Sequence, residues 1–173
     1  FDGERLIDGE HAISIDAGVI SGVHARDRAQ PVPSGAQDLR GSTVLPGLID
    51  AHCHIARVGQ FEAHEPPNPA AVAANLSSAL AAGVTTVGDM GCPAPMIAEL
   101  GAATRRHPTH GPAIRAAGPL LTVPLGYPLD WMSRLHAWLG AALPCADEAS
   151  ARRAVNTVAR AGMDHVKICI MHR

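Results

Sequence analysis

Leu45-Pro46-Gly47-Leu48-Ile49-Asp50-Ala51-His52-Cys53-His54 decides how this 173-residue chain is read. Pro46-Gly47 is a turn signal, and the apolar run after it predicts a buried strand ending in two histidines. Side chains alternate across a strand, so His52 and His54 project to the same side. Their Cα atoms then lie roughly 6.6 Å apart at ~3.3 Å per residue. Converging rings at that spacing can share one metal ion, at about 2.0–2.1 Å per zinc–nitrogen bond. Imidazole suits zinc and, to varying degrees, nickel, iron and manganese. Alone, an HxH pair is a weak and common motif, so the flanking sequence has to carry the decision.

Downstream, strand and helix signals alternate. Pro66-Pro67-Asn68-Pro69 breaks the chain, with Asn68 placed to cap a helix and Pro69 at its first position. Val72, Leu76 and Leu80 recur at spacing four and predict an amphipathic helix that Gly83 ends. Val84-Thr85-Thr86-Val87 is a β-branched strand, and Met96, Ile97, Leu100 and Ala103 mark a second helix up to about His107. A third strand is predicted near 113–117. The stretch 123–144, with Tyr127, Trp131 and Trp138, fits no clean pattern, although Leu135, Trp138 and Leu139 could share a helix face. Asp147 is placed to cap a last helix with Ala151, Ala154, Val155 and Val158 facing the core, Gly162 stops it, and 165–170 reads as the last strand.

Upstream the period is two rather than four. Ala12-Ile13-Ser14-Ile15, the turn Asp16-Ala17-Gly18 and Val19-Ile20 predict a hairpin, with Gly18 free to take positive φ. Residues 29–37 are rich in Pro, Ser and Gly and predict a loop. A β-rich start at 1–44 followed by strand–helix units over 45–173 predicts an α/β chain with a parallel sheet, open or closed into a barrel. A closed (β/α)8 barrel needs eight strands and typically ~250 residues, so the four strands after the β-rich start would make half of one.

Composition narrows the function classes. Apolar residues make up 47% of the chain and aromatics 3%, so a core here rests on Ala, Val, Leu and Ile. The net charge of −2 and the scatter of its 14 Lys and Arg residues leave no basic stripe for nucleic acid. No apolar run approaches the ~20 residues of a membrane helix. Cys53, Cys92, Cys145 and Cys169 form no CxxC pair, which argues against a disulfide framework, a zinc ribbon or a clustered redox centre. A reducing cytoplasm is the expected compartment. The chain starts at Phe1 without a secretory signal, and the expectation is that its true start lies upstream.

The Leu45–His54 stretch resembles the strand-one signature of the amidohydrolase superfamily at several positions at once. Gly83-Val84-Thr85-Thr86-Val87-Gly88-Asp89-Met90-Gly91 resembles its second-strand segment. Gly111-Pro112-Ala113-Ile114-Arg115-Ala116-Ala117-Gly118-Pro119-Leu120 resembles its third, and Ala161-Gly162-Met163-Asp164-His165-Val166-Lys167-Ile168 its fourth. The four follow in the superfamily's order, and the β-rich start resembles part of its small β-sandwich. The likeness is greatest to the branch of imidazolonepropionase-like amidases and prolidase-like dipeptidases. It implies the N-terminal half of a (β/α)8 TIM-like barrel preceded by part of a β-sandwich.

Lys167 gains its meaning from this resemblance. On the last strand Val166, Ile168 and Ile170 share the face fit to pack under helices, and His165, Lys167 and Cys169 share the other. A buried charged lysine is costly, and by itself it would pair with a carboxylate or reach solvent along its stem. In the resembled family the lysine here is carboxylated by CO2 and bridges two metals, which makes an anionic oxygen ligand of a cation. The resemblance thus implies a metal set of His52, His54 and Lys167 with two divalent ions per complete site, zinc first among them. Two further histidines and a general-base aspartate are expected downstream, so no catalytic residue is assigned within the chain, and the chain alone is expected to be inactive.

The implied reaction is hydrolysis of an amide, cyclic amide or dipeptide C–N bond by a metal-activated water. Small-molecule amides or dipeptides are the expected substrates, nucleic acid and membrane are not expected as partners, and a homo-oligomer stays open. A one-metal deaminase and a non-catalytic scaffold are the alternatives; Lys167 argues against the first, and ligands on an inward face against the second. Asp89 could orient a histidine or serve a turn. Asp50 could support the pair from the same face, His165 reads as packed, and Cys53 reads as a small core residue. His107, His110 and His136 read as surface histidines. Neither GxGxxG nor GxxxxGK[ST] is present to cradle phosphate.

Overall fold

Antiparallel pairing opens the chain. In a computed structural model, which describes residues 4–27, 29–55, 69–129 and 140–170, β1 (His11–Asp16) pairs with β2 (Val19–Ala25) in register Asp16↔Val19. The turn between them holds both Ala17 (φ 49°) and Gly18 (φ 79°) in the left-handed region. That is the hand of two-residue turn that matches strand twist. The predicted hairpin is therefore present, with Ala17 as well as Gly18 at positive φ. The chain divides into two compact units, Phe1–Pro46 and Gly47–Arg173.

The second unit is built of parallel strands and helices. β3 (Leu48–Cys53), β4 (Val84–Asp89) and β5 (Ala113–Ala116) form one parallel sheet in that order. β6 (Leu120–Thr122) lies between β7 (Ala142–Pro144) and β8 (Ile168–Cys169) in a second, also parallel. The path from β5 to β6 is a break at Ala117–Pro119, with Gly118 at φ 67°. The same chain segment runs alongside both. Ala116 accepts the Asp164 N–H (2.9 Å) and Leu121 donates to the Lys167 carbonyl (2.9 Å). Within each of the two sheets the described strands are all parallel, as expected for an α/β chain. β6 and β7 were not anticipated, because three-residue strands bounded by proline carry no measurable period.

The helices follow from spacing and caps. α1 (Pro69–Ala81) buries Val72 and Leu76 and stops where Gly83, at φ 86°, donates to the Leu80 carbonyl. α2 (Ala94–Arg106) buries Ile97 and closes at His107. α3 (Glu148–Arg160) starts with a capping box: Asp147 accepts the Ser150 N–H at 2.7 Å, and the Ser150 hydroxyl oxygen accepts the Asp147 N–H at 3.0 Å. One core joins Ile55, Val72, Leu76, Val87, Cys92, Ile97, Ile114 and Ala116. A smaller one joins Leu121, Ala154 and Val158, and Met163 packs against both. Burying a side chain such as Leu76 or Val87 stabilises by about 2 kcal/mol.

Three packing expectations are corrected. β3 is not a buried strand: it is the sheet's edge, and Ile49 is 70% exposed because no helix among the described residues covers it. Val166, Ile168 and Ile170 do not pack under helices. They are exposed, Ile168 at 61%, while His165, Lys167 and Cys169 on the alternate face are half-buried. β8 is likewise an edge, so its apolar face lacks a covering layer among the described residues. In α3, Ala154 and Val158 are buried one turn apart, whereas Val155 turns off that stripe into solvent. The Asn68 cap, His136 and the helix face of Leu135, Trp138 and Leu139 lie outside the described residues.

Candidate metal centre

β3 delivers His52 and His54 to one place. Their ring centroids are 5.9 Å apart and the rings meet edge-on at 67°. Two imidazoles on a common ion at about 2.0–2.1 Å per bond have centroids on the order of 5–6 Å apart. The observed separation lies within that range. His52 is exposed and His54 half-buried, which leaves the pair open on one side.

The strand end that carries them is firmly held. Pairing between β3 and β4 shifts register between Asp50 and Cys53, the interval that holds Ala51 and His52. Such irregularities re-aim side chains beside functional sites. Asp50 Oδ1 accepts the His52 N–H (3.0 Å) across it. Beyond it, Met90 N–H donates to the Cys53 carbonyl (2.9 Å). Gly88 lets the two strands approach: a Cβ there would lie 2.7 Å from the Ala51 carbonyl oxygen.

Asp89 fixes the next residue. It is fully buried, Oδ2 accepts the Ile55 N–H (3.0 Å), and Oδ1 accepts the Gly91 N–H (3.1 Å). These bonds pin the backbone directly after His54 and form the turn at Gly91. Cys53 sits between the histidines and donates its thiol to the Gly88 carbonyl at 3.5 Å. Burial, and then the Asp89 and Asp50 carboxylates, push this thiol up to about 12. At that value it is protonated at neutral pH.

Lys167 stands elsewhere along the same level. Register carries Cys53 to Asp89 and Asp89 to Ala116, and Ala116 accepts the backbone N–H of Asp164 and His165. The level of the histidines thus continues across the strands to the segment where Lys167 precedes β8. Lys167 is half-buried, on the face it shares with His165 and Cys169. The Nε2 atom of His165 is shut from solvent with no hydrogen-bond partner among the described residues. His107 and His110 stack at 5.0 Å on the exposed end of α2. Among the described residues no group of three or more His, Cys, Asp or Glu side chains is placed to hold a metal ion.

Asp164 was missed as a residue in its own right. Its carboxylate accepts the Ala116 N–H (2.9 Å) and the Arg115 guanidinium (2.9 Å), clasping the start of the Lys167 segment to β5. The only sequence signal for it was its place in the fourth family-like segment.

A family model described as "Amidohydrolase family" matches residues 43–172. No curated protein matches the chain. Among solved structures, a prolidase complexed with N-methylphosphonate-L-proline is 26% identical, with a TM-score of 0.73, over 91% of this chain and 41% of its own. A Xaa-Pro dipeptidase with methionine bound in its active site is 25% identical, with a TM-score of 0.71, over 97% and 44%. An ochratoxinase from A. niger, at 22% identity and a TM-score of 0.51, shares the fold over 71% of this chain and 33% of that one. The chain spans about two fifths of the length of the first two.

Proposed function

The chain belongs to the amidohydrolase family, and from that membership we propose that it serves a hydrolase of amide C–N bonds in small peptides. The family is generally metal-dependent. His52 and His54 would hold a divalent metal, zinc first among the candidates. Lys167 would join them after its neutral Nζ adds CO2, forming an N–C bond and releasing a proton. The resulting carbamate is anionic and would make of the half-buried lysine an oxygen ligand for a second ion. The general base and the remaining ligands would come from outside the described residues.

The observation that carries this reading is the 5.9 Å convergence of the two rings at the carboxyl end of β3. Ligands of parallel α/β sheets bind beyond that end. Bound there, a metal supplies Lewis-acid polarisation of the scissile carbonyl and a water acidic enough to be deprotonated near neutral pH. The chain's own residues prepare the place. Asp50 and Asp89 hold the backbone on either side of the pair, so the imidazoles need little reorganisation to receive an ion. The names of the similar structures make X–Pro dipeptides the first substrates to try.

Turnover is to be measured with the whole gene product. The expected result is X–Pro hydrolysis that a chelator abolishes and zinc restores, with His52→Ala and His54→Ala each lowering kcat/KM by at least about a hundredfold. Chelator-insensitive turnover, or wild-type rates in either variant, would contradict the proposal.

A further inference from the structure

One face of the β3–β4–β5 sheet turns toward the helices and the other carries the histidines. Val87, Ile114 and Ala116 lie in the core with Val72 and Leu76 of α1 and Ile97 of α2, and Cys53 packs against that core. Alternation then turns His52, His54, Gly88 and Arg115 to the opposite face. Register sets their level. Asp50 pairs with Val87 and Cys53 with Asp89, which leaves Ala51 and His52 opposite Gly88, and Gly88 pairs in turn with Arg115. His52, Gly88 and Arg115 thus form one row across the sheet. Its outer strands, β3 and β5, stand about 10 Å apart with one strand between them.

Gly88 keeps the middle of that row free of a side chain of its own. A Cβ there would lie 2.7 Å from the Ala51 carbonyl oxygen and 3.2 Å from Met90 Cε. A glycine inside a strand marks a close approach of backbone or of a ligand. Beyond the interval, the Arg115 side chain is 68% exposed and yet fixed in place. Its Nη1 donates to Asp164 Oδ1 (2.9 Å), and Asp164 Oδ2 is itself held by the Ala116 N–H (2.9 Å). The other guanidinium donors have no hydrogen-bond partner among the described residues. An exposed ion pair contributes little to stability, so the clasp leaves most of the capacity of this arginine unused. A guanidinium with a free edge takes a carboxylate through two parallel N–H groups, a fit that lysine lacks.

We propose that Arg115 is a specificity-determining residue that binds the free α-carboxylate of a dipeptide whose scissile amide lies at His52 and His54. The proposal rests on the amide-hydrolase reading above. In a dipeptide only the nitrogen and Cα of the leaving residue separate the scissile carbonyl from that carboxylate, so one small molecule meets both groups across Gly88. The test compares Ala-Pro with its C-terminal amide on the whole gene product. Wild type should favour the free acid, and the ratio of the two kcat/KM values should fall at least roughly tenfold, through KM, in Arg115→Gln, with Arg115→Lys intermediate. A wild type indifferent to amidation overturns the proposal. So does a variant with a lower melting temperature and an unchanged ratio, which would leave Arg115 only its clasp on Asp164. Phenylglyoxal labelling of the wild type, mapped by mass spectrometry, tests the contact without a variant. Ala-Pro should protect Arg115 from labelling and the amide should not; equal labelling with both overturns the proposal. If the wild type hydrolyses neither compound, the hydrolase reading fails separately, and the labelling decides.

Discussion

Asp89 shows at the residue scale how the candidate site is supported. It is fully buried, and its two oxygens take the backbone N–H groups of Ile55 and Gly91. A hydrogen bond to a charged acceptor contributes about 1.5–3 kcal/mol, and a buried donor left without one costs about as much. Asp89→Ala should therefore lower unfolding free energy by about 3 kcal/mol in urea titration, with Asp89→Asn intermediate. A loss under half a kcal/mol would show that these bonds do not hold the His54 segment. The alternation His52-x-His54 was legible because strand geometry alone puts both rings on one side. The role of Asp89 was not, because a short carboxylate serves equally well beside an imidazole or beneath a turn. Leu125 was not legible either: Val123-Pro124-Leu125-Gly126 reads as a turn, but which residue takes positive φ depends on the packing around Gly126.

Elements with a strong period or a chemical cap were read correctly. α1 shows Val72 and Leu76 at spacing four, α3 shows Asp147 ahead of it, and the hairpin shows Ala17-Gly18. β6 and β7 were missed because Leu120-Leu121-Thr122 and Ala142-Leu143-Pro144 are too short to express a period. What joins the strands is also hidden from sequence, since the Asp164 clasp spans 48 residues to the Ala116 N–H. Burial raises the Asp164 pKa, but the Ala116 N–H and the Arg115 guanidinium outweigh it and leave the carboxyl below the usual carboxylate range. A depressed native pKa means that the stabilisation is full above the unfolded value of about 3.9 and is lost as pH falls through the lower native value. Asp164→Asn should cost on the order of 1 kcal/mol at pH 7, since the Arg115 side chain is largely exposed. The gap between wild type and variant should narrow in denaturation curves as pH falls below the unfolded value of about 3.9. A gap independent of pH would assign the clasp to hydrogen bonding rather than charge.

For the whole molecule, sequence and structure agree on an α/β chain with parallel strands, and the family match over 43–172 agrees with both. They differ at the edges. Sequence hydrophobicity predicted burial for Ile49, Ile168 and Ile170, whereas all three are exposed. An apolar face records that a strand is built to be covered, and it does not record what covers it. The same limit applies to the candidate site, where His52 and His54 lie together at the end of β3 and Lys167, also proposed as a ligand, lies on the segment before β8. No helix among the described residues is long and apolar enough to cross a membrane. The account's central claim is that His52 and His54 seat a divalent metal. Its most direct test is metal content by mass spectrometry after dialysis, on the whole gene product and its His52→Ala and His54→Ala variants, with circular dichroism to confirm folding. The account predicts at least one zinc or similar ion per chain in the wild type and loss of that ion in both folded variants. A metal-free wild type, or variants that keep the same metal content, would contradict it.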